Sequence, residues 1–317
     1  MKRVIVTGAT GFVGANLVRR LLADGHEAHL LVRPGHSKWR IQEIKPDVRL
    51  HEVELGDSET VSRTVHEIRP EWIFHLAAHG AYSSQTDLAQ MVETNIAGTI
   101  NLVQACLKTG FEAFVNTGSS SEYGFKDHPP SEEELVEPNS HYAVTKASAT
   151  LFCRHTAQRE NVYLPTLRLY SVYGPYEEPA RLMPTIISKG VRNELPPLVD
   201  PDIARDFVFT EDVCDAYVLA ATSKAGEPGE IYNVGSGEQT TLRDVVDVAR
   251  RVLSISEKPT WGSMPNRNWD TAVWVSDNKK IRRLLGWKPM HTFEEGFKSM
   301  VDWFRENASY YEKAATE

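Results

Sequence analysis

The stretch that decides the fold is VIVTGATGFVG, residues 4–14, at the start of the chain. An apolar β-branched strand runs into three spaced glycines, Gly8, Gly11 and Gly14, and an amphipathic helical pattern occupies residues 12–22. Glycines at this spacing permit a tight turn and a close approach of the backbone to a pyrophosphate, which the helix N-terminus attracts. The position directly after the first strand predicts a dinucleotide-binding βα unit.

The first half of the chain repeats this pattern of a short β-branched run followed by a longer amphipathic stretch. Such alternation is typical of βαβ units on a parallel sheet, so we predict an α/β fold of the Rossmann type with a doubly wound parallel sheet. The clearest helical patterns cover residues 12–22, 91–107 and 142–159. The predicted strands cover residues 3–7, 27–32, 48–52, 72–76, 113–117 and 163–169.

Prolines and glycines become frequent after Tyr173, which predicts a smaller C-terminal lobe rich in loops. A helical pattern at 211–222 and a strand pattern at 231–234 can rejoin the sheet, so the two lobes are expected to interleave. We assign residues 1–173, together with 206–234, to an NAD(P)-binding domain. Residues 174–205 and 235–317 form the predicted substrate lobe.

Composition excludes several classes of partner. The net charge of −8 gives no general attraction to nucleic acid or to anionic membranes. The N-terminal apolar stretch turns into glycines too soon for a signal peptide or a membrane span. Cys106, Cys153 and Cys214 are widely spaced in apolar stretches, which predicts a reducing, cytoplasmic location without disulfides or a metal cluster.

The end of the second strand bears on the choice of cofactor. A carboxylate there bonds the ribose diol of NAD and repels a 2′-phosphate, but this sequence has Arg33. Ser37, Lys38 and Arg40 follow. We predict a preference for NADP over NAD, with Arg33 and one of the later basic groups pairing with the 2′-phosphate. A solvated basic loop is the alternative interpretation.

Tyr142 and Lys146 are four residues apart on a predicted helix, which places both side chains on one face. A phenol, with a reference pKa of about 10, is a poor proton donor or acceptor at neutral pH unless a nearby cation stabilises its phenolate. An ammonium group one turn away can do so. The pair therefore predicts an acid/base site, with Lys146 also reaching the nicotinamide ribose.

A serine-rich turn, residues 116–121, follows the fifth predicted strand at the sheet edge where open α/β folds bind ligands. We take Ser119 as the hydroxyl that hydrogen-bonds a substrate oxygen, with Ser120 and Ser121 as alternates. An ordinary polar turn is the competing interpretation.

Several motifs in one order carry a family resemblance over essentially the whole chain. The sequence resembles the extended short-chain dehydrogenase/reductases, in particular the group of nucleotide-sugar epimerases, dehydratases and 4-ketoreductases. The motifs are Gly8-x-x-Gly11-x-x-Gly14, His75-Leu76-Ala77-Ala78, Asn95 with Gly98-Thr99, Ser119 through Gly124, Tyr142-x-x-x-Lys146, Arg168 through Pro175, Arg205-Asp206-Phe207 and Leu285-Gly286-Trp287.

The resemblance implies roles for individual residues. Tyr142 is the acid/base, Lys146 lowers its pKa, Ser119 positions the sugar oxygen and Asn95 buttresses the active-site strands. Candidate substrate contacts are His79, Ser119, Ser120, Ser121, Tyr142, Ser171, which stands where many relatives have Asn, and the diphosphate-binding Arg205 and Arg267. The candidate cofactor contacts are Gly8, Thr10, Gly11, Phe12, Val13, Gly14, Arg33, Ser37, Lys38, Arg40, Glu54, Leu55, Leu76, Ala77, Ala78, Thr117, Tyr142, Lys146, Tyr170 and Val172.

Three reactions share such a site. Dehydratases of the group place a carboxylate two residues after the Ser or Thr, where this chain has Ser121, and Glu122 follows one residue later. Arg33 argues against the 4-epimerases that hold NAD through an acid. We favour reduction of an NDP-4-keto-6-deoxyhexose by NADPH, with 4-epimerization as the alternative and 4,6-dehydration behind it.

Two further expectations concern other classes of function and assembly. A protein that binds NADP only as a regulatory ligand could keep the same fold, although intact Tyr142 and Lys146 argue against it. The helices at 91–107 and 142–159 match the pair that forms a four-helix dimer interface in the family, so the resemblance implies a homodimer.

Overall fold

A computed structural model describes residues 1–82, 84–266 and 271–314 of the chain. Its strands are β1 (Arg3–Thr7), β2 (Glu27–Val32), β3 (Arg49–Glu52), β4 (Trp72–His75), β5 (Ala113–Ser119), β6 (Thr166–Leu169), β7 (Ser171–Tyr173), β8 (Ala204–Arg205), β9 (Phe207–Phe209), β10 (Ile231–Val234) and β11 (Thr240–Thr241). Its α-helices are α1 (Phe12–Ala23), α2 (Ser58–Ile68), α3 (Leu88–Val92), α4 (Gly98–Thr109), α5 (His141–Glu160), α6 (Leu182–Gly190), α7 (Thr210–Ser223), α8 (Leu242–Leu253), α9 (Lys279–Leu285) and α10 (Phe293–Ala314).

Seven parallel strands form the central sheet in the order β10-β6-β5-β4-β1-β2-β3. The predicted Rossmann-type fold is confirmed. Strands covered on both faces read as continuous apolar runs. In β1, Val4 and Val6 pack into a core with α1 and α7, whereas Ile5 between them packs into a core with α2, α4 and α5. The C-terminal ends of the strands are left free to hold ligands.

The predicted helix at 91–107 is divided in the structure. It consists of α3, a π-helical turn at Glu93–Ala97 and α4. The wider turn holds Asn95, which is buried, and Gly98 lies against Leu55, where a Cβ atom would come within 2.8 Å of the leucine Cβ. A uniform apolar period does not encode this irregularity, which is common at functional sites.

Elements after residue 173 build a separate core. Short pairs, β7 with β9 and β8 with β11, sit beside α6, α8 and α10, which pack around Phe209, Val245 and Phe297. Strand β10 pairs with β6 at the edge of the central sheet. The chain therefore passes between the two cores more than once.

Candidate active site

The glycine loop fits a diphosphate cradle. Gly8 has φ +67°, and a Cβ atom there would lie 2.6 Å from the backbone of Leu76 and Ala77. A Cβ atom on Gly14 would lie 2.2 Å from the Gly8 carbonyl oxygen. Gly11 occupies the N-cap of α1 and offers no capping side chain. The first N–H groups of α1 therefore have no side-chain cap, and the binding of a pyrophosphate there stays a prediction.

Basic residues after β2 divide into two kinds. Arg33 and Lys38 are exposed. Arg40 is buried, and each nitrogen of its guanidinium donates to the protein: Nε to the Tyr176 carbonyl at 2.8 Å, Nη1 to the Thr10 carbonyl at 3.3 Å and Nη2 to Glu178 at 2.8 Å. Arg40 is thus held away from the role of 2′-phosphate ligand that the sequence suggested, because its donors are already engaged.

The catalytic serine and tyrosine come from neighbouring elements. Ser119 ends β5 at the sheet edge, and its hydroxyl accepts from Ser121 N–H at 3.2 Å. Helix α5 starts at His141, capped by the Ser140 hydroxyl, so Tyr142 lies in its first turn. Burial raises the pKa of Tyr142 to about 12, and a hydrogen bond with Ser119 opposes the shift. The predicted hydroxyl pair is therefore brought together, with the phenol protonated.

Lys146 is buried one turn beyond Tyr142, and its ammonium group donates to the carbonyl oxygen of Thr117. Burial lowers its pKa. Burial is the largest cause of the raised pKa of Tyr142, and a lowering of that pKa by Lys146 stays a prediction. Thr117 is anchored in turn, since its Oγ1 lies 2.6 Å from the Tyr217 hydroxyl.

Asn95 ties the loop after β4 to the catalytic helix. Its Oδ1 accepts from His79 N–H at 2.8 Å, and its Nδ2 donates to the His79 carbonyl and to Thr145 Oγ1, each at 2.8 Å. Thr145 stands between Tyr142 and Lys146 on α5. These bonds give the buttressing that the family resemblance implies for Asn95.

His79 is a candidate substrate contact. The charges of Arg33 and Asp87 act on the pKa of its side chain. This places it toward the basic segment after β2. Glu54 is exposed after β3, and the Leu55 carbonyl accepts from Asn101 at 2.9 Å. Both follow the end of β3, as candidate cofactor contacts in this fold should.

Glu122 is directed into the protein. Its carboxylate accepts from Ser119 N–H and Thr150 Oγ1 and forms a buried ion pair with Arg168, Nε to Oε2 at 2.8 Å. Glu122 belongs to a short helical turn and not to a strand, so the turn sets this direction. Ser120 and Ser121, in the short helical turn Ser120–Tyr123, occupy the next positions after Ser119.

A narrow crevice adjoins Ser120. Tyr170 and Trp274 line it, and the Trp274 ring lies 5.5 Å from the Arg205 guanidinium carbon. Among the described residues, the buried Tyr170 hydroxyl has no hydrogen-bond partner. Tyr170, expected at the cofactor, therefore lines a crevice that also borders Ser120.

Two further predicted contacts, Ser171 for the substrate and Val172 for the cofactor, lie side by side on a short strand. Ser171 and Val172 belong to β7, and Ser171 N–H donates to the Asp206 carbonyl at 3.0 Å. The Asp206 carboxylate holds the Ser236 turn and Ser276 in place. Arg267 lies outside the described residues.

The sequence analysis did not predict two charged residues of this region, the acidic Glu177 and the basic Arg181. Glu177 is buried beside Arg181, with Oε1 3.5 Å from Nε, and burial raises its pKa to about 7. The positive charge of Arg181 also acts on Tyr142. Neither belongs to a motif, since a loop that folds back over a cleft leaves no periodic signal.

This fold and site define a dinucleotide-dependent enzyme with a Ser–Tyr–Lys centre. A model of the "NAD dependent epimerase/dehydratase family" matches residues 4–235. The chain is 30% identical to a UDP-glucose 4-epimerase of Mycolicibacterium smegmatis, covering 96% of this chain and 98% of that protein. It is 28% identical to a dTDP-glucose 4,6-dehydratase of Salmonella typhimurium, with 97% and 94% covered.

Solved structures agree with the sequence matches. The crystal structure of a Thermus thermophilus UDP-glucose 4-epimerase in complex with NAD superimposes with a TM-score of 0.84 at 30% identity, covering 96% of this chain and 99% of that one. The chain belongs to the NAD dependent epimerase/dehydratase family. It is an NAD(P)-dependent enzyme, and the resemblance stated from its motifs is confirmed.

Proposed function

We propose that this enzyme transfers a hydride between a nicotinamide cofactor and C4 of a nucleoside-diphosphate hexose, and that its reaction is the NADPH-dependent reduction of an NDP-4-keto-6-deoxyhexose. The observation that carries the proposal is the Ser119–Tyr142 pair, in which burial keeps the phenol protonated. A protonated phenol beside a serine hydroxyl is prepared to deliver a proton to a carbonyl oxygen that is being reduced.

Ser119, Tyr142 and Lys146 have separate roles in the proposed reaction. A nicotinamide cofactor, whose pyrophosphate the glycine loop would hold, would supply the hydride. Ser119 donates a hydrogen bond to the ketone oxygen, and Tyr142 gives that oxygen a proton as the alkoxide forms. Lys146, fixed by the Thr117 carbonyl, places a positive charge one helical turn from the phenolate that remains.

Dehydration is disfavoured by the surroundings of Ser119. Loss of water across C5 and C6 needs a second acid/base pair, and the positions after Ser119 hold Ser120 and Ser121. Glu122 is committed to Arg168 and Thr150 and faces away from the cleft. The site therefore offers the hydroxyl pair needed at C4 without a carboxylate from this turn.

The preference for NADP rests on the exposed Arg33 and Lys38 after β2. Arg33 stands where a carboxylate would select the ribose diol of NAD. A cofactor that leaves after each turnover suits a reductase, whereas an epimerase regenerates its cofactor in place.

A 4-epimerase is the second candidate, because an enzyme of that name in Mycolicibacterium smegmatis is similar over nearly the whole chain. Tyr142 and Ser119 would serve that reaction too, acting first on the alcohol and then on the ketone. The dehydratase relatives do not favour one candidate over the other.

The deciding experiment incubates the protein with CDP-, GDP-, dTDP- and UDP-linked hexoses and 4-keto-6-deoxyhexoses, with NADPH or NADH. Stoichiometric consumption of NADPH with a 4-keto substrate supports the reductase. Interconversion of NDP-hexoses without net cofactor change supports the epimerase. Tyr142→Phe is the matched control: nucleotide binding that persists while turnover is lost separates an enzyme from a protein that only senses NADP.

We assign the lobe formed by residues 174–205 and 235–317 to nucleotide-sugar binding, because Trp274, whose ring lies 5.5 Å from the Arg205 guanidinium carbon, lines the crevice beside Ser120. Buried free thiols at Cys106, Cys153 and Cys214 support the cytoplasm as the location. In the part of the chain that the structure describes, no helix combines the length and apolarity needed to cross a bilayer.

We further propose a homodimer built through a four-helix bundle. Leu88 and Val92 on α3, and Val144 and Leu151 on α5, are exposed at 45%, 44%, 46% and 54%. Their spacings of four and seven residues put each pair on one helix face, and the two helices are neighbours. Aliphatic side chains collected in this way are typical of a surface that another subunit covers.

A further inference from the structure

Glu122 and Ser119, the serine of the proposed site, hold each other in place. Ser119 is the N-cap of the short helical turn Ser120–Tyr123, and its hydroxyl oxygen accepts from Ser121 N–H at 3.2 Å. The Glu122 side chain returns to the cap, where its Oε1 accepts from Ser119 N–H at 2.8 Å. These bonds belong to a capping box, which fixes both the backbone and the side chain of Ser119.

The capping box also decides what the Ser119 hydroxyl can do. A hydroxyl has one proton to donate and two lone pairs that accept. Because a backbone N–H occupies a lone pair of Ser119, the proton is left for another partner. The proposed reaction needs this arrangement, since Ser119 donates a hydrogen bond to the oxygen at C4.

The same carboxylate is attached to helix α5. Tyr142, Lys146 and Thr150 follow one another at intervals of four residues, so they lie along one face of that helix. Lys146 donates to the Thr117 carbonyl of β5. One turn further on, Thr150 Oγ1 donates to Glu122 Oε1 at 3.0 Å, and both of these side chains are fully buried. The helix that carries the phenol is therefore tied to the turn that begins at the serine.

A counterion holds Glu122 from a third element. Arg168 on β6 donates from Nε to Glu122 Oε2 at 2.8 Å. The guanidinium carbon of Arg168 lies 4.6 Å from the centroid of the Tyr123 ring, and the Tyr123 hydroxyl donates to Asn233 on β10 at 2.8 Å. Arg168 is 2% exposed, so the ion pair is shielded from water. The buried carboxylate thus has the paired charge and the hydrogen bonds that its burial requires.

We propose that Glu122 is a positioning residue that sets the place of the Ser119 hydroxyl relative to the Tyr142 phenol, by joining the end of β5 to α5 through Thr150. Its consequence for catalysis rests on the proposed function, in which both hydroxyls act on the oxygen at C4. A shift of about 1 Å in such groups can cost about 100-fold in rate. A buried carboxylate supplies the precision because it accepts hydrogen bonds from three elements at once.

Thr150→Val tests the attachment with the least disturbance. The variant loses the hydroxyl bond to Glu122 and keeps the Ser119 N–H bond and the ion pair with Arg168. For the reaction that the unchanged protein catalyses, we expect kcat to fall about tenfold, while the KM of the sugar and the Kd of NADP⁺ stay within about twofold. Thr150→Ser retains a hydroxyl and should restore kcat. Thr156→Val, at another buried threonine of α5, is the matched control and should leave kcat unchanged.

A double-mutant cycle separates positioning from a loss of stability. In a Ser119→Ala background the positioned hydroxyl is absent, so Thr150→Val should change kcat by less than about twofold. A general weakening of the fold would lower kcat equally in both backgrounds. Glu122→Gln extends the cycle, because one end of an amide cannot accept a hydrogen bond, and we expect a fall of about 100-fold that also depends on Ser119. If Glu122→Gln cannot be purified folded, the Thr150→Val cycle decides alone.

Three results would overturn this role: a normal kcat in Thr150→Val or in folded Glu122→Gln, a loss that persists in the Ser119→Ala background, and a loss that Thr150→Ser does not restore. Failure of the proposed function shows separately, as absence of turnover of every nucleoside-diphosphate sugar by the unchanged protein. Crystal structures of the unchanged protein and of Thr150→Val then decide the positioning. A displaced Ser119 hydroxyl supports it, and hydroxyls of Ser119 and Tyr142 in unchanged positions reject it.

Discussion

Lys146 directs its ammonium group at the carbonyl oxygen of Thr117, although Tyr142 lies only one helical turn away. Strand β5 and helix α5 are thereby joined at the point where both supply groups of the proposed site. In the proposed reaction, the charge of the lysine acts on Tyr142 when the phenol gives up its proton. Preorganised charge of this kind acts on the transition state more than on the resting phenol.

Replacement of Lys146 by Met should therefore lower kcat by about 100- to 10,000-fold, the range typical of acid/base groups, with a smaller effect on the KM of the sugar substrate. Steady-state kinetics measure both constants. Lys298→Met, at an exposed position paired with Glu294 on α10, is the control and should be silent. A Lys146→Met enzyme with normal kcat would show that the ammonium group has no part in proton transfer.

Arg33 should govern the choice of cofactor. Arg33→Asp removes a cation facing the 2′-phosphate and adds a carboxylate for the ribose diol, so we expect at least a tenfold loss of NADP affinity, about 1.4 kcal/mol, and an unchanged or improved Kd for NAD. Lys38→Met should weaken NADP binding less. Fluorescence titration with both cofactors gives the ratio of dissociation constants. A clear NAD preference in the unchanged protein contradicts the interpretation of this basic segment.

His75 should make the folded state sensitive to acid. Its Nδ1 lies 2.7 Å from Thr7 Oγ1 and its Nε2 2.9 Å from Thr99 Oγ1. Thr99 Oγ1 donates to the Asn95 carbonyl, so it accepts from Nε2, and the ring is neutral. Burial lowers the pKa of His75 to about 3, well below its unfolded value of 6.5.

Because the folded pKa is depressed, the stabilising contribution of neutral His75 is complete above pH 6.5 and is lost as the pH falls toward 3. Between pH 7 and pH 5 the loss should be about 2 kcal/mol. Denaturant unfolding at the two pH values measures it. His75→Gln should reduce this pH dependence, whereas His66→Gln at an exposed position should not, and equal pH dependence in all three proteins would refute the assignment.

The dimer proposal predicts a change of mass without a change of fold. The double substitution Val144→Lys and Leu151→Lys puts two charges on the exposed face of α5. The dimer should dissociate because burying an unpaired charge is costly. Light scattering after size exclusion measures the mass. Met290→Lys, at an exposed apolar position outside α3 and α5, is the control. A monomeric mass for the unchanged protein contradicts the proposal directly.

Local sequence was sufficient for the parts of the site that depend on spacing. Tyr142 and Lys146 lie on one face of α5 because an α-helix has 3.6 residues per turn, so that side chains four residues apart point in nearly the same direction. The glycine loop follows β1 because only residues without a Cβ atom fit against the backbone of Leu76 and the carbonyl of Gly8. Ser119 lies at the sheet edge because it closes β5, although the strand extends two residues beyond its predicted end at 117.

The predictions that missed concern interactions between segments. The strand predicted at 163–169 begins at Thr166, after Pro165, which has no N–H group for the ladder. Arg40 follows Arg33 and Lys38 in a basic run, and nothing local distinguishes the two exposed cations from the buried one. Its partners at Thr10, Tyr176 and Glu178 are far from it in the sequence, so no periodic pattern could reveal them.

The sequence by itself determined the Rossmann-type fold, the family and the hydroxyl pair with its lysine, because these follow from periodicity, glycine sterics and short spacings. Only the tertiary structure decided which charges are free to meet a ligand. Burial sets the protonation of Tyr142 and His75, commits Glu122 to Arg168 and turns Arg40 into a link between lobes. Desolvation and pairing energies depend on neighbours from distant parts of the chain, and those neighbours exist only once the chain has folded.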